Sequence, residues 1–322
     1  MDNSKKTTSK LLDLYEKRVF ELPLGILGHF FARYYAVTGD EKHKKIVALN
    51  IFVKYFSKFN KFSEEFLKNE NFGKKSKAPT PKTERKRARF NFYQKNIKAR
   101  FFDDFLLLLF YLNKYKLEKN VSQKEYKRVI ANLAKIDFYS LYNNDNAIRS
   151  DSSYLFNSVF FLKHLEIDTK ISQVCEKRLK SMYVDSKMDL ADISDSEYKS
   201  FVYSMTHIII ADSKYYERFV SGHKWIIKYF ANNLDTIAQR TTPDILAEVG
   251  FCFRLCREEQ KYLSLLNEIK KQSLSLMSWK KLGADINFLR WKEHTNSILI
   301  MLLANNKKFH KAHDFSKNRL FQ

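Results

Sequence analysis

Glycine and proline are scarce in this chain, seven and four among 322 residues. Folds rich in β-hairpins use both at their turns, so the shortage argues against sandwiches and small barrels and favours helices with short connections. Cysteine is scarcer and odd in number. Cys175, Cys252 and Cys256 form no CxxC pair, which excludes a disulfide framework or zinc knuckle and fits a reducing compartment. Cys252 and Cys256 could share a helical face, but two thiols alone make a poor zinc site. No apolar run is long enough to span a bilayer. The most apolar, FFDDFLLLLFYL from Phe101 to Leu112, is short and interrupted by Asp103 and Asp104, and reads as a buried helix. The opening MDNSKKTTSKLLDLYEKRV is basic but lacks an apolar signal core, which predicts a cytoplasmic protein without a cleaved secretory signal, export by another route staying open.

Acidic residues are the minority: 36 against 58 Lys and Arg, a formal charge of +22. Such a balance attracts nucleic acid, anionic membranes or acidic proteins. The competing explanation is lysine that only solvates the outer faces of helices. No RNA-recognition aromatic motif and no Cys/His finger spacing accompanies the charge. It is concentrated between residues 70 and 100, where eleven Lys or Arg face Glu70 and Glu84. Within it, NENFGKKSKAPTP (69–81) has no apolar period and reads as a surface insertion extending to about residue 87. That insertion is the candidate contact for an acidic partner, or else a solvated loop.

What is abundant is apolar and aromatic residue, 44% and 15%, enough for a substantial core. The periodicity predicts about twelve helices, including Pro23 to Gly39, 41–59, a long one ending near Tyr115, one capped by Ser122, one capped by Ser194 or Asp195 and containing His207, one opening at Thr242-Pro243, and a last one over 286–304. Odd-numbered helices are amphipathic and charged, whereas even-numbered ones are apolar almost all round. Shielding of every second helix is what an (α/α)6 toroid of six hairpins needs, with an irregular α-solenoid as the alternative. The expected organisation is a single all-helical domain over 1–304, followed by a basic tail over 305–322.

Three blocks, LPLGILGHFFARYYAVTGD (22–40), THIIIADSKYY (206–216) and PDILAEVGFCFRL (243–255), resemble an uncharacterised family of bacterial all-helical proteins described as a domain of unknown function. The resemblance implies toroid-like helix pairing and no established activity. It supplies no catalytic motif, and the insertion has no counterpart in it.

Each apolar helix carries a polar pair at i, i+3 or i, i+4 spacing, which places both members on one face. These are His29 and Arg33, with Gly25 and Gly28 allowing close approach; Arg100 and Asp104; Tyr154 and Asn157; Tyr203 and His207; Asp244 and Glu248; and Arg290 and His294, beside Trp291. A single such residue is ordinarily a satisfied core hydrogen bond. Pairs on all six helices predict a wet pocket whose aromatic residues suit sugar rings or other flat polar ligands. Two chemistries fit. In one, His207, Glu248 and His294 perform acid–base work on a glycan-like substrate, with Asp244 or Asp104 as the second carboxylate. In the other, His29, His207, His294 and Glu248 hold zinc or iron, although no HExxH-type pair supports it. The first is adopted, with no metal and no cofactor; the alternative function is a non-catalytic scaffold docking an acidic partner.

Overall fold

A computed structural model describes residues 3–68, 72–73, 79–186, 190–304 and 308–322. Among them there are helices and no strands, so the protein is all-α. The α-helices in chain order are α1 (Asn3–Lys17), α2 (Leu24–Thr38), α3 (Lys44–Lys54), α4 (Phe59–Lys68), α5 (Glu84–Lys95), α6 (Ile97–Lys114), α7 (Gln123–Leu133), α8 (Phe138–Tyr142), α9 (Asp145–His164), α10 (Ile171–Lys180), α11 (Asp195–Asp212), α12 (Lys224–Asn232), α13 (Leu234–Arg240), α14 (Pro243–Leu255), α15 (Leu263–Ser275), α16 (Trp279–Ala284), α17 (Ile286–Trp291) and α18 (Glu293–Leu303). No described helix is long and apolar enough to cross a membrane.

The chain divides into two compact units, Met1–Lys54 with Ser213–His313, and Tyr55–Asp212 with Asp314–Gln322. In the first, α18 packs against α2, α14 and α1, and α2 also packs against α3. In the second, α9 is central and contacts α11, α6, α10, α5 and α8. The six apolar helices of the sequence correspond to α2, α14 and α18 in the first unit and α6, α9 and α11 in the second. Their burial explains how few polar residues they carry: in α14 every residue from Ile245 to Leu255 is buried.

Local signals account for many helix ends. Pro23 precedes α2, and Gly39 closes it in the left-handed conformation at φ 73°, which a side chain resists. Ser122 accepts the Glu125 amide at the start of α7. Other ends depart from the periodic reading. The long fourth helix breaks at Asn96 into α5 and α6. The stretch 216–239, whose apolar spacing predicts one helix, begins helically only at Lys224 and breaks at Asn233. The last helix breaks at Lys292 into α17 and α18. The insertion at 69–87 lies partly outside the described residues, but α5 already begins at Glu84, and Phe72 is buried against Phe66, Phe101 and Phe102.

The C-terminal stretch is not an appendage. In the first unit, the His310 amide donates to the Ala36 carbonyl at 2.9 Å, and the buried His313 ring lies 3.9 Å from that of Tyr35. In the second, the Phe315 amide donates to the Tyr115 carbonyl at 3.1 Å, and Phe321 packs edge-on against Phe56. These anchors are widely spaced aromatics with no helical period, which a periodicity reading passes over.

Of the two glycines expected to permit close approach, only Gly28 does so. A Cβ there would stand 2.3 Å from the Asn50 Cβ of α3, whereas nothing lies within 4 Å of the same position on Gly25. Gly28→Ala is therefore expected to cost about 1–3 kcal/mol through overpacking. Gly25→Ala is expected to raise stability by roughly 0.5 kcal/mol through helix propensity. Urea unfolding followed by circular dichroism separates the two, and a destabilised Gly25→Ala would refute the assignment of close packing to Gly28 alone.

Candidate functional site

In the first unit α2, α14 and α18 bring four of the expected residues together: His29, Arg33, Glu248 and His294. Two others join them, Glu293 and Ser297, both from α18. The His29 Nδ1 lies 2.8 Å from each Glu293 carboxylate oxygen. Arg33 Nη1 lies 3.2 Å from His29 Nδ1, 3.0 Å from His294 Nδ1 and 3.0 Å from the Ser297 Oγ. On the far side of its ring, His294 Nε2 lies 3.1 Å from Glu248 Oε1. The two imidazoles are nearly parallel, 6.2 Å between centroids.

Donor rules fix the tautomers. A guanidinium can only donate, so His294 accepts at Nδ1 and carries its proton on Nε2, which donates to Glu248. Glu293 is held below the ordinary carboxylate range by His29 and Arg33, against a burial that opposes ionisation, so it is an acceptor. His29 Nδ1 lies closer to the Glu293 oxygens than to Arg33, so it carries the proton and donates to that carboxylate. The 3.2 Å approach of Arg33 Nη1 is then a charge contact and not a hydrogen bond, and the His29 Nε2 keeps a lone pair that meets no described partner. Burial first, and the Arg33 charge second, push the His29 imidazole down to about 4 against the pull of Glu293. The ring is neutral near pH 7, with 35% of its side chain exposed. Arg33→Gln removes the neighbouring cation and is expected to raise the His29 titration midpoint by about one unit, read from its ring resonances by NMR. An unchanged or lower midpoint would show that Arg33 does not set it.

Backbone geometry supports the same cluster. After α11, Lys214, Tyr215 and Tyr216 take positive φ angles of 54°, 53° and 76° in succession. This left-handed turn carries Tyr216 to Arg33, whose guanidinium carbon stands 5.9 Å from the ring centre.

The remaining first-unit candidates are placed elsewhere. Asp244 is half-exposed on the first turn of α14, where its charge complements the helix dipole; Glu248 pairs with His294 and not with it. Arg290 and Trp291 sit on α17, across the break at Lys292, so the expected i, i+4 face shared with His294 does not exist. Arg290 is exposed and Trp291 is 72% exposed. Among the described residues, no group of three or more His, Cys, Asp or Glu is arranged to hold a metal ion. The physical reason is visible in the first unit: Arg33 occupies the place between the imidazoles where a cation would sit.

In the second unit, His207 Nδ1 donates to the Asn157 Oδ1 at 2.7 Å, and the Tyr203 ring meets the His207 ring edge-on at 4.4 Å. Arg85 stacks over Tyr203 and Arg89 over Tyr154, at 5.2 and 4.1 Å. Asp104 is exposed on α6 and lines a cleft with Tyr154. The buried carboxylate is its neighbour Asp103, which accepts hydroxyls from Tyr93 at 2.5 Å, Tyr142 at 2.9 Å and Ser158 at 2.5 Å.

Sequence reasoning missed Glu293, Ser297 and Asp103. Glu293 and Ser297 share a face at i, i+4, and Glu293 opens the helix just before an apolar run, so the signal was present. For Asp103 it was not: adjacent aspartates on one helix differ by about 100° in direction, and only packing selects which is buried.

An all-helical protein in which a helix trio carries a His–Glu–Arg cluster is the class defined by this fold and site. The chain belongs to the family described as Domain of unknown function (DUF3541), whose model matches residues 4–321. No curated protein and no solved structure matches the chain significantly.

Proposed function

We propose that the protein binds and processes a small polar, carbohydrate-like substrate by histidine–carboxylate acid–base chemistry centred on His29 with Glu293 and His294 with Glu248. The observation that carries this reading is His29 itself. A neutral imidazole, oriented by a buried carboxylate on Nδ1, offers its Nε2 lone pair from a partly exposed ring, which is the arrangement a general base needs. Arg33 supplies a fixed positive charge beside it, suited to a developing oxyanion. His294 carries a proton on Nε2, with Glu248 as its acceptor, and so forms the second proton-holding pair. His207, with Asn157 and Tyr203, remains a candidate contact within its own unit. The six-hairpin ring belongs to the same proposal and rests on three apolar helices in each unit.

The test is a thermal-shift screen of the full chain against neutral sugars, sugar acids and amino sugars, repeated with His29→Gln and Glu293→Gln. The expected result is a ligand that raises the wild-type Tm and leaves both variants unmoved while their helical content is retained. If no member moves the wild type and both variants are simply less stable, the cluster serves folding alone. The scaffold alternative predicts instead oligonucleotide or acidic-peptide binding that falls steeply with salt and is unaffected by His29→Gln.

A further inference from the structure

A cleft of about 300 Å³ in the second unit is lined by Lys86 and Arg89 of α5, Arg100 and Asp104 of α6, and Tyr154 of α9. From these residues we infer that the cleft is a binding site for a phosphorylated monosaccharide. None of its residues belongs to the His29 cluster.

The charge comes first. Lys86, Arg89 and Arg100 converge on one small volume, and none of them forms an ion pair with a described carboxylate. Three like charges brought together repel unless an anion joins them. Asp103 and Asp104 line the same cleft and offset part of this charge. The Asp103 oxygens are engaged by the Tyr93, Tyr142 and Ser158 hydroxyls, and three basic side chains against two carboxylates leave the cleft net positive. A phosphate monoester carries about −1.5 to −2 charges at neutral pH, and its oxygens match the planar forks of two arginines better than a single carboxylate does.

The rest of the lining selects what the phosphate is attached to. Asp104 is exposed at the same cleft. A carboxylate there repels a second phosphate and accepts from hydroxyls, so a polyol is admitted and a continuous polyanion is opposed. The Tyr154 ring is 44% exposed and carries the Arg89 guanidinium on one side, 4.1 Å away. Its aromatic surface suits the C–H face of a sugar, and Arg89 is held where a phosphate next to that sugar would lie. The volume stands at the small end of ligand pockets, which fits one sugar and not a dinucleotide.

Isothermal titration of the full chain with glucose 6-phosphate, inorganic phosphate and glucose tests the assignment. Glucose 6-phosphate should bind at least about tenfold more tightly than phosphate, and glucose should not register. Arg89→Gln and Arg100→Gln should each weaken glucose 6-phosphate by about tenfold or more, as loss of a charge-assisted bidentate contact implies. Asp104→Asn should weaken glucose 6-phosphate and leave phosphate unchanged or tighter. Circular dichroism checks folding, and Arg89→Lys, which keeps the charge and loses the fork, should fall between wild type and Arg89→Gln. His29→Gln should bind as wild type does, which separates this site from the first-unit cluster. Equal affinity for phosphate and glucose 6-phosphate overturns the inference, as does insensitivity to both arginine variants. An oligonucleotide that binds through Arg89 and is not displaced by glucose 6-phosphate overturns it as well.

Discussion

Asp103→Ala is expected to lower stability by about 3–5 kcal/mol, the range for removing one partner from a buried charged network. The carboxylate is 7% exposed and ties four helices together: its own α6, α5 through Tyr93, α8 through Tyr142 and α9 through Ser158. Alanine leaves the buried Tyr142 and Ser158 hydroxyls without their acceptor, and each unmade bond costs about 1–3 kcal/mol. Asp103→Asn keeps the oxygen shared by Tyr142 and Ser158 but turns an NH2 toward the Tyr93 hydroxyl, and should cost about 1–3 kcal/mol. Tyr93→Phe removes one donor and should cost about 1 kcal/mol. Urea unfolding orders the three variants. A value for Asp103→Ala within 1 kcal/mol of wild type would mean that packing alone holds α6 against α9.

Glu293→Ala should be the second severe change, at about 2–4 kcal/mol, because it strands the Arg33 guanidinium and the His29 Nδ1–H in a mostly enclosed place. The pH profile carries more information than the magnitude. The His29 imidazole is depressed from its ordinary 6.5 to about 4 in the folded protein. Between those values the unfolded chain binds the proton and the folded one does not, so stability is greatest above about 6.5 and declines as pH falls toward about 4. Glu293, held below its ordinary value, adds a further loss at still lower pH as its carboxylate is forced to protonate. Arg33→Gln raises the folded His29 value and should flatten the decline. Glu293→Ala removes the group that favours imidazolium, so the decline through the same window should be kept or steepened. A flatter decline in Arg33→Gln beside an unchanged or steeper one in Glu293→Ala is the expected result; flattening in both would refute the opposed effects of Arg33 and Glu293 on His29.

Much of the architecture was legible because it is periodic. Apolar spacing marked α2, α6, α9, α11, α14 and α18 as the interior helices, and Pro23, Gly39, Ser122 and Ser194 announced helix ends through their own chemistry. Three breaks went unannounced. Lys292 is an ordinary helix-interior residue by propensity. Asn96 and Asn233 are weaker helix formers whose side-chain amides each donate to the carbonyl four residues back, Phe92 at 2.9 Å and Tyr229 at 2.8 Å, a local bond that apolar spacing does not reveal. The site was legible in part. His29, Arg33, Glu248 and His294 stood out as polar residues on apolar faces, whereas the bond between His29 and Glu293 joins residues 264 apart, a pairing that no local pattern encodes. Trp291 misled for the converse reason: the break at Lys292 moved it off the face that spacing had assigned.

The turn after α11 constrains which sequences this chain can tolerate. Left-handed backbone costs an L-residue roughly 1–2 kcal/mol, and here Lys214, Tyr215 and Tyr216 adopt it consecutively. In the αL region Gly fits without steric penalty, Asn and Asp adapt, and β-branched side chains clash. A saturation library over 214–216 scored for folded protein should therefore accept Gly and Asn at Lys214 and reject Val, Ile and Thr. Acceptance at Tyr216 should be narrower, since its ring is 4% exposed and packs edge-on against Phe251. Substitutions that are neutral on any helix surface would thus be selected against in a segment whose composition, SKYY, gives no hint of a restricted vocabulary.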